Sequence, residues 1–279
     1  MHVRWAWLLV AIAIGATACA PATAPLPVQT SAVTALTPSP APPTQTAPTS
    51  RAPLPLRPDG TPEVLPTPPE LDDRRLPTRD VLPPPTGGEF TSTVALVPAA
   101  VLARSTWSSA CPVTAAQLRY VTVVFRGFDG AAHTGELLVN ATVATQVAAA
   151  FRDLYAAGFP IEQMQITDRA ELDAPATGDG NNTSAFVCRP ARGLTTWSAH
   201  AYGLAVDIDP FQNPYHKDDP AGPIVLPELA SSYLDRARVR PGMILPDGPV
   251  VAAFTRIGWT WGGSWHSPVD LQHFSATGG

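Results

Sequence analysis

The distribution of proline constrains this chain more than any other feature. Of its 279 residues 33 are proline, and they crowd between Pro21 and Pro85, among Ala, Thr and Ser and without a single Cys, Trp or Tyr. Such a stretch buries too little apolar surface to offset its ordering entropy, and its prolines favour extended polyproline segments. Residues 20–88 are therefore expected to be a disordered Pro/Ala/Thr-rich linker, with the folded domain over residues 89–279. Fully extended, about 65 such residues at ~3.1 Å each would reach on the order of 200 Å.

Ahead of the linker, residues 1–19 run from a basic start (His2, Arg4) through the apolar stretch Trp5–Ile14 to Gly15-Ala16-Thr17-Ala18 and Cys19. That order of charge, apolar run and small residues is a secretory signal, too short for a spanning helix. A Cys at the cleavage point resembles a bacterial lipobox, although Ala16 stands where Leu is commoner. The expectation is an exported protein of the bacterial cell envelope, held to the membrane by a lipid on Cys19, with plain secretion as the alternative. Cys111 and Cys188 then remain as an even pair in an oxidising compartment, and a disulfide between them is expected.

Within the domain, Tyr120–Phe125 and Thr134–Val139 flank Gly127-Phe128-Asp129-Gly130, a hairpin signal. Thr142–Ala157 carries apolar residues at helical spacing (Val143, Val147, Ala150, Phe151, Leu154) and is stopped by Gly158 and Pro160. Short strands are expected at Met164–Thr167 and Gly203–Asp209, with a short helix over Val250–Ile257. The fold class is therefore α+β, a small and mainly antiparallel sheet with flanking helices.

Two segments carry chemistry. In Gly203–Asp209, strand alternation puts Leu204, Val206 and Ile208 on one face and Gly203, Ala205, Asp207 and Asp209 on the other, an acid floor cleared of bulk. His200 precedes this strand in a turn from which it can fold back over that face. Near the C-terminus, Asp270-Leu271-Gln272-His273-Phe274 places a carboxylate three residues before a second His, so a turn or bulge is expected between them. Two imidazoles and a carboxylate suit Zn²⁺, and Asp270 is left to activate a water. His266 is the rival third ligand, but no carboxylate stands three residues before it. Trp259 and Trp261 are expected in the core, and Ser198 is expected to bond within its own turn.

The two segments, in this order, resemble the D-alanyl-D-alanine carboxypeptidase and phage-endolysin group of zinc peptidases, whose pattern is S-x-H-x(6)-D followed later by an acidic residue, two others and H. The resemblance spans roughly Leu118 to Phe274. It implies that His200, Asp207 and His273 are the zinc ligands, that Asp270 is the catalytic base, and that the substrate is a D-residue-containing peptide of bacterial peptidoglycan stems. Carboxypeptidases and L,D-endopeptidases both occur in the group, and an Asp base is the habit of the endopeptidase subgroup. The aromatic-Arg-Ser sequence that usually supplies a substrate-gripping arginine is missing. Arg189 is the preferred replacement and Arg169 the other candidate. A monomer is expected, and a catalytically silent wall-binding module on the same fold is the alternative. The formal net charge of −5 and pI near 5.6 argue against a nucleic-acid partner.

Overall fold

The computed structural model describes residues 51–278. The expected signal sequence, Cys19 and the linker residues 20–50 lie outside the described residues. The remainder is α+β. Three strands, β1 (Ser92–Leu96), β2 (Leu118–Arg126) and β3 (Ala132–Asn140), form an antiparallel sheet in that order. The expected hairpin is β2–β3, with Val121 opposite Leu137 and Val123 opposite Gly135. Helix α1 (Ala99–Arg104) connects β1 towards β2, and α2 (Ala144–Ala156) packs on the sheet.

The reason for that packing is the helical spacing seen in the sequence. Val147, Ala150, Phe151 and Leu154 are buried on α2 and share one core with Val121, Val123, Phe125, Leu137 and Val139. Each large apolar side chain so buried contributes about 1.5–3 kcal/mol relative to exposure.

Beyond α2 the elements shorten. They are β4 (Gln163–Met164), α3 (Arg169–Asp173), β5 (Asn182–Thr183), β6 (Ala205–Asp207), β7 (Tyr215–Lys217), β8 (Ile224–Leu226), α4 (Pro249–Arg256), β9 (Thr260–Trp261), β10 (Val269–Asp270) and β11 (His273–Ser275). Two more small antiparallel sheets result, β6-β11-β9 and β10-β7-β8, while β4 and β5 pair in parallel. Helix α4 opens with Pro249 at its first position, where a missing N–H costs nothing. Its Phe254 stacks on Phe274 of β11 with ring centroids 4.5 Å apart, joining this sheet to the core of α2. Trp259 and Trp261 are buried, as expected. Among the described residues no helix is long and apolar enough to cross a membrane.

Besides shortening the strand expected over Met164–Thr167 to Gln163–Met164, the structure differs from the sequence reading in two places. The Gly203–Asp209 strand is regular only over β6, because Asp209 takes a positive φ of 42° and leaves the extended path. Its carboxyl turns into a buried polar cluster, accepting from the Glu162 backbone N–H, so the acid floor holds Asp207 alone. The second difference is at the N-terminal side. The segment expected as linker up to residue 88 lies on the folded body from Arg51 onwards, with Leu71 and Arg74 buried. Leu71 fills a pocket of Phe211, Leu229, Ala230, Tyr233 and Met243. Charged side chains in this stretch find partners on the body: Arg74 pairs with Glu162, Asp72 with Arg238 and Asp80 with His133.

Candidate active site

The first imidazole is set by a short 3-10 turn, Ala199–Tyr202, with Ser198 as its cap: the Ser198 hydroxyl accepts from the His200 N–H. The turn closes at Gly203 in the left-handed region, φ 66°. A Cβ there would lie 2.6 Å from the Asn140 backbone nitrogen, so only glycine lets this turn sit on the end of β3. His200 is thus held against the main sheet rather than in a free loop.

Its tautomer is fixed as well. His200 Nδ1 lies 2.6 Å from the Ala185 carbonyl oxygen. A carbonyl only accepts, so Nδ1 carries the proton and Nε2 presents its lone pair. Sequence reasoning had no signal for Ala185, because the group that orients the ring is backbone.

The expected break between Asp270 and His273 is a change of sheet. Asp270 on β10 pairs with Tyr215 of β7, and after Leu271-Gln272 the chain enters β11, where His273 pairs with Asp207 of β6. The two side chains therefore approach one point from different sheets. Gly262 leaves the room for it: a Cβ there would lie 2.7 Å from the Asp270 carbonyl oxygen.

At that point three atoms form a triangle. His200 Nε2 is 3.2 Å from His273 Nδ1 and 3.2 Å from Asp207 Oδ1, and His273 Nδ1 is 3.0 Å from Asp207 Oδ1. Tetrahedral bonds of about 2.1 Å to a metal would separate ligand atoms by about 3.4 Å. With His200 Nε2 a lone pair, at most one proton is available among these three acceptors while the imidazoles are neutral. A divalent cation resolves that crowding, and the residues fit zinc in number, type and spacing; among the described residues this is the one such His/Asp group. His266 is exposed and not part of it.

The carboxylates are set apart electrostatically. Burial works to raise the Asp207 carboxyl, but His200 and His273 outweigh it and hold it below the ordinary carboxylate range. Asp270 goes the other way: burial, then the charge of Asp207, push it up to about 7 against the pull of His273 and Arg189. Its Oδ1 is buried without a hydrogen-bond partner. A carboxylate whose affinity for a proton is near neutrality suits a general base, and a dication beside it would draw that value down again.

Of the two candidate arginines, Arg169 donates to the Thr106 carbonyl oxygen at 2.9 Å. Arg189 acts on the charge of Asp270, and so does Arg192 of the following loop, which the sequence did not single out. Arg189 also follows directly on Cys188, which is joined to Cys111 as expected, with Cα atoms 5.9 Å apart. Trp265 lies against His273, ring centroids 5.4 Å apart.

No curated protein and no solved structure matches the chain. A family model does, and it falls on the segment that carries all four site residues. Over residues 192–276 the chain matches the D-alanyl-D-alanine carboxypeptidase model, so this segment is similar to that family.

Proposed function

We propose that the protein is a zinc-dependent hydrolase of peptide bonds involving D-amino acids in bacterial peptidoglycan stems, acting as an exported monomer tethered by a lipid on Cys19. The observation that carries this reading is the convergence of His200, Asp207 and His273 within metal-binding distance of one another, with Asp270 beside them. A zinc ion at the triad would supply Lewis-acid polarisation of the scissile carbonyl and acidify a water.

The rest is done by side chains of this chain. Asp270 accepts a proton from the attacking water and returns it to the leaving amine, a role served by its place beside the triad. The Ala185 carbonyl keeps the His200 ring in the tautomer that can ligate. Arg189 pairs with a substrate carboxylate, to which a guanidinium can make two parallel bonds. A module that only binds wall has no use for a carboxylate beside the triad whose Oδ1 is left without a hydrogen-bond partner.

The test is digestion of purified peptidoglycan with the full chain, followed by mass spectrometry of what is released. Free D-Ala identifies a carboxypeptidase, and shortened stems cut between L- and D-residues identify an endopeptidase. The Asp270→Asn variant, nearly isosteric, should keep its zinc and lose at least about 10²-fold in rate, the lower end for general-base assistance. No released fragment from the zinc-loaded parent would contradict the reading.

A further inference from the structure

One buried polar cluster outside the candidate site joins it to the Pro-rich segment. Arg74 is 4 % exposed and Glu162 is 7 % exposed. Arg74 Nε donates to Glu162 Oε2 at 2.7 Å and Nη2 to Oε1 at 2.6 Å, a forked pair. Its third nitrogen, Nη1, donates to the Asp179 carbonyl oxygen at 2.9 Å, and the guanidinium lies over the Phe211 ring at 4.5 Å.

Glu162 passes this contact on. Its Oε2 accepts from Asn181 Nδ2 at 2.8 Å, and its backbone N–H donates to Asp209 Oδ1 at 3.0 Å. Both partners lie at the end of β6 that follows Asp207: Asp209 is two residues on, and Asn181 Oδ1 accepts from the Phe211 N–H at 2.8 Å. Asn181 precedes β5, whose Thr183 hydroxyl accepts from the Asp209 N–H at 3.1 Å. Ser184, the next residue, exchanges backbone hydrogen bonds with Asp207 at 2.9 and 3.1 Å. One guanidinium therefore stands behind both segments of the short Ser184–Asp207 bridge, at the end where the chain leaves β6 through Asp209.

A two-rung ladder needs such support. Strand β6 has three residues, and the positive φ at Asp209 ends it. We propose that Arg74 is a positioning residue for the metal site, bracing Asp207 through Glu162, Asn181 and Asp209. The proposal rests on the reading of His200, Asp207 and His273 as zinc ligands. A brace of this kind acts by narrowing the positions open to the carboxylate before the metal arrives.

The test uses amide hydrogen exchange on the metal-free full chain together with zinc affinity by competition with a chromophoric chelator. In Arg74→Ala the amides of Ser184, Asp207 and Asp209 should exchange at least about tenfold faster while those of β2 and β3 keep their protection. Zinc affinity should fall about 10-fold or more, the lower end for loss of residues that support metal ligands. Arg74→Lys keeps the charge but not the fork, and should show the same local pattern if the alanine variant does not fold. Unchanged exchange, or exchange raised equally in β2 and β3, overturns the proposal, as does local loosening with parent zinc affinity. A parent chain that binds no zinc, or a His200→Ala chain that keeps it, overturns the metal reading and the proposal with it.

Discussion

Residues 192–276 and residues 51–88 contribute to the same folded body in opposite ways. The first segment brings its chemistry within a few strands, and its contacts are local enough to leave a pattern: His200 and Asp207 are joined by one 3-10 turn and one strand, Asp270 and His273 by one change of sheet. The second has almost no regular structure and is held by isolated anchors, Leu71 in its pocket and Arg74 on Glu162, with Asp72 paired to Arg238 and Arg240. Function is written in the spacing of the one. Support is written in the partners of the other, which stand far away in sequence.

The largest expected effect comes from removing the second region. A chain reduced to residues 90–279 would keep every site residue but would leave Glu162 buried without its cation, at a cost of about 3–5 kcal/mol. Emptying the pocket of Leu71 adds about 2–5 kcal/mol. Against a total stability of about 5–15 kcal/mol, the fragment should lose its cooperative thermal transition or show it far below that of the full chain. A fragment that melts with the full chain would break the comparison, reducing residues 51–88 to a passive covering.

What the sequence made legible follows the same division. Alternation in Gly203–Asp209 pointed Val206 and Ile208 to the core and Asp207 to the site, and all three are so placed. The same alternation failed one step later, because it assumes extended backbone and Asp209 does not have it. The break after Asp270 was legible from three-residue spacing alone, although its form, a switch between two sheets, was not. Residues 51–88 were misread because composition averages over a segment, and a few buried side chains in a Pro-rich stretch do not move the average. Nothing in the sequence pairs Arg74 with Glu162, since that contact joins residues 88 apart.

A smaller effect separates the two carboxylates of the site. In the metal-free protein burial, and then the charge of Asp207, push the Asp270 carboxyl up to about 7, above the ordinary carboxylate range. For such a group the protonated form is the one the fold prefers. Its contribution to stability is complete below the unfolded value and is lost as the pH rises through the folded one. Metal-free Asp270→Asn should therefore be more stable than the metal-free parent at pH 8, with the advantage gone by pH 4, read as the difference in urea midpoints. Asp207 is depressed instead, so its contribution is present above the unfolded value and lost on acidification. A pH-independent difference between parent and Asp270→Asn would remove the electrostatic distinction drawn between them.

The central claim is that His200, Asp207 and His273 form one metal site, and elemental analysis of the purified full chain beside its His273→Ala variant tests it most directly. The account predicts about one zinc per chain in the parent, as a three-ligand catalytic site holds, and none in the variant, with the fold of both checked by the same thermal transition. Zinc retained in folded His273→Ala, or a parent that takes up none from a zinc-containing buffer, would contradict it.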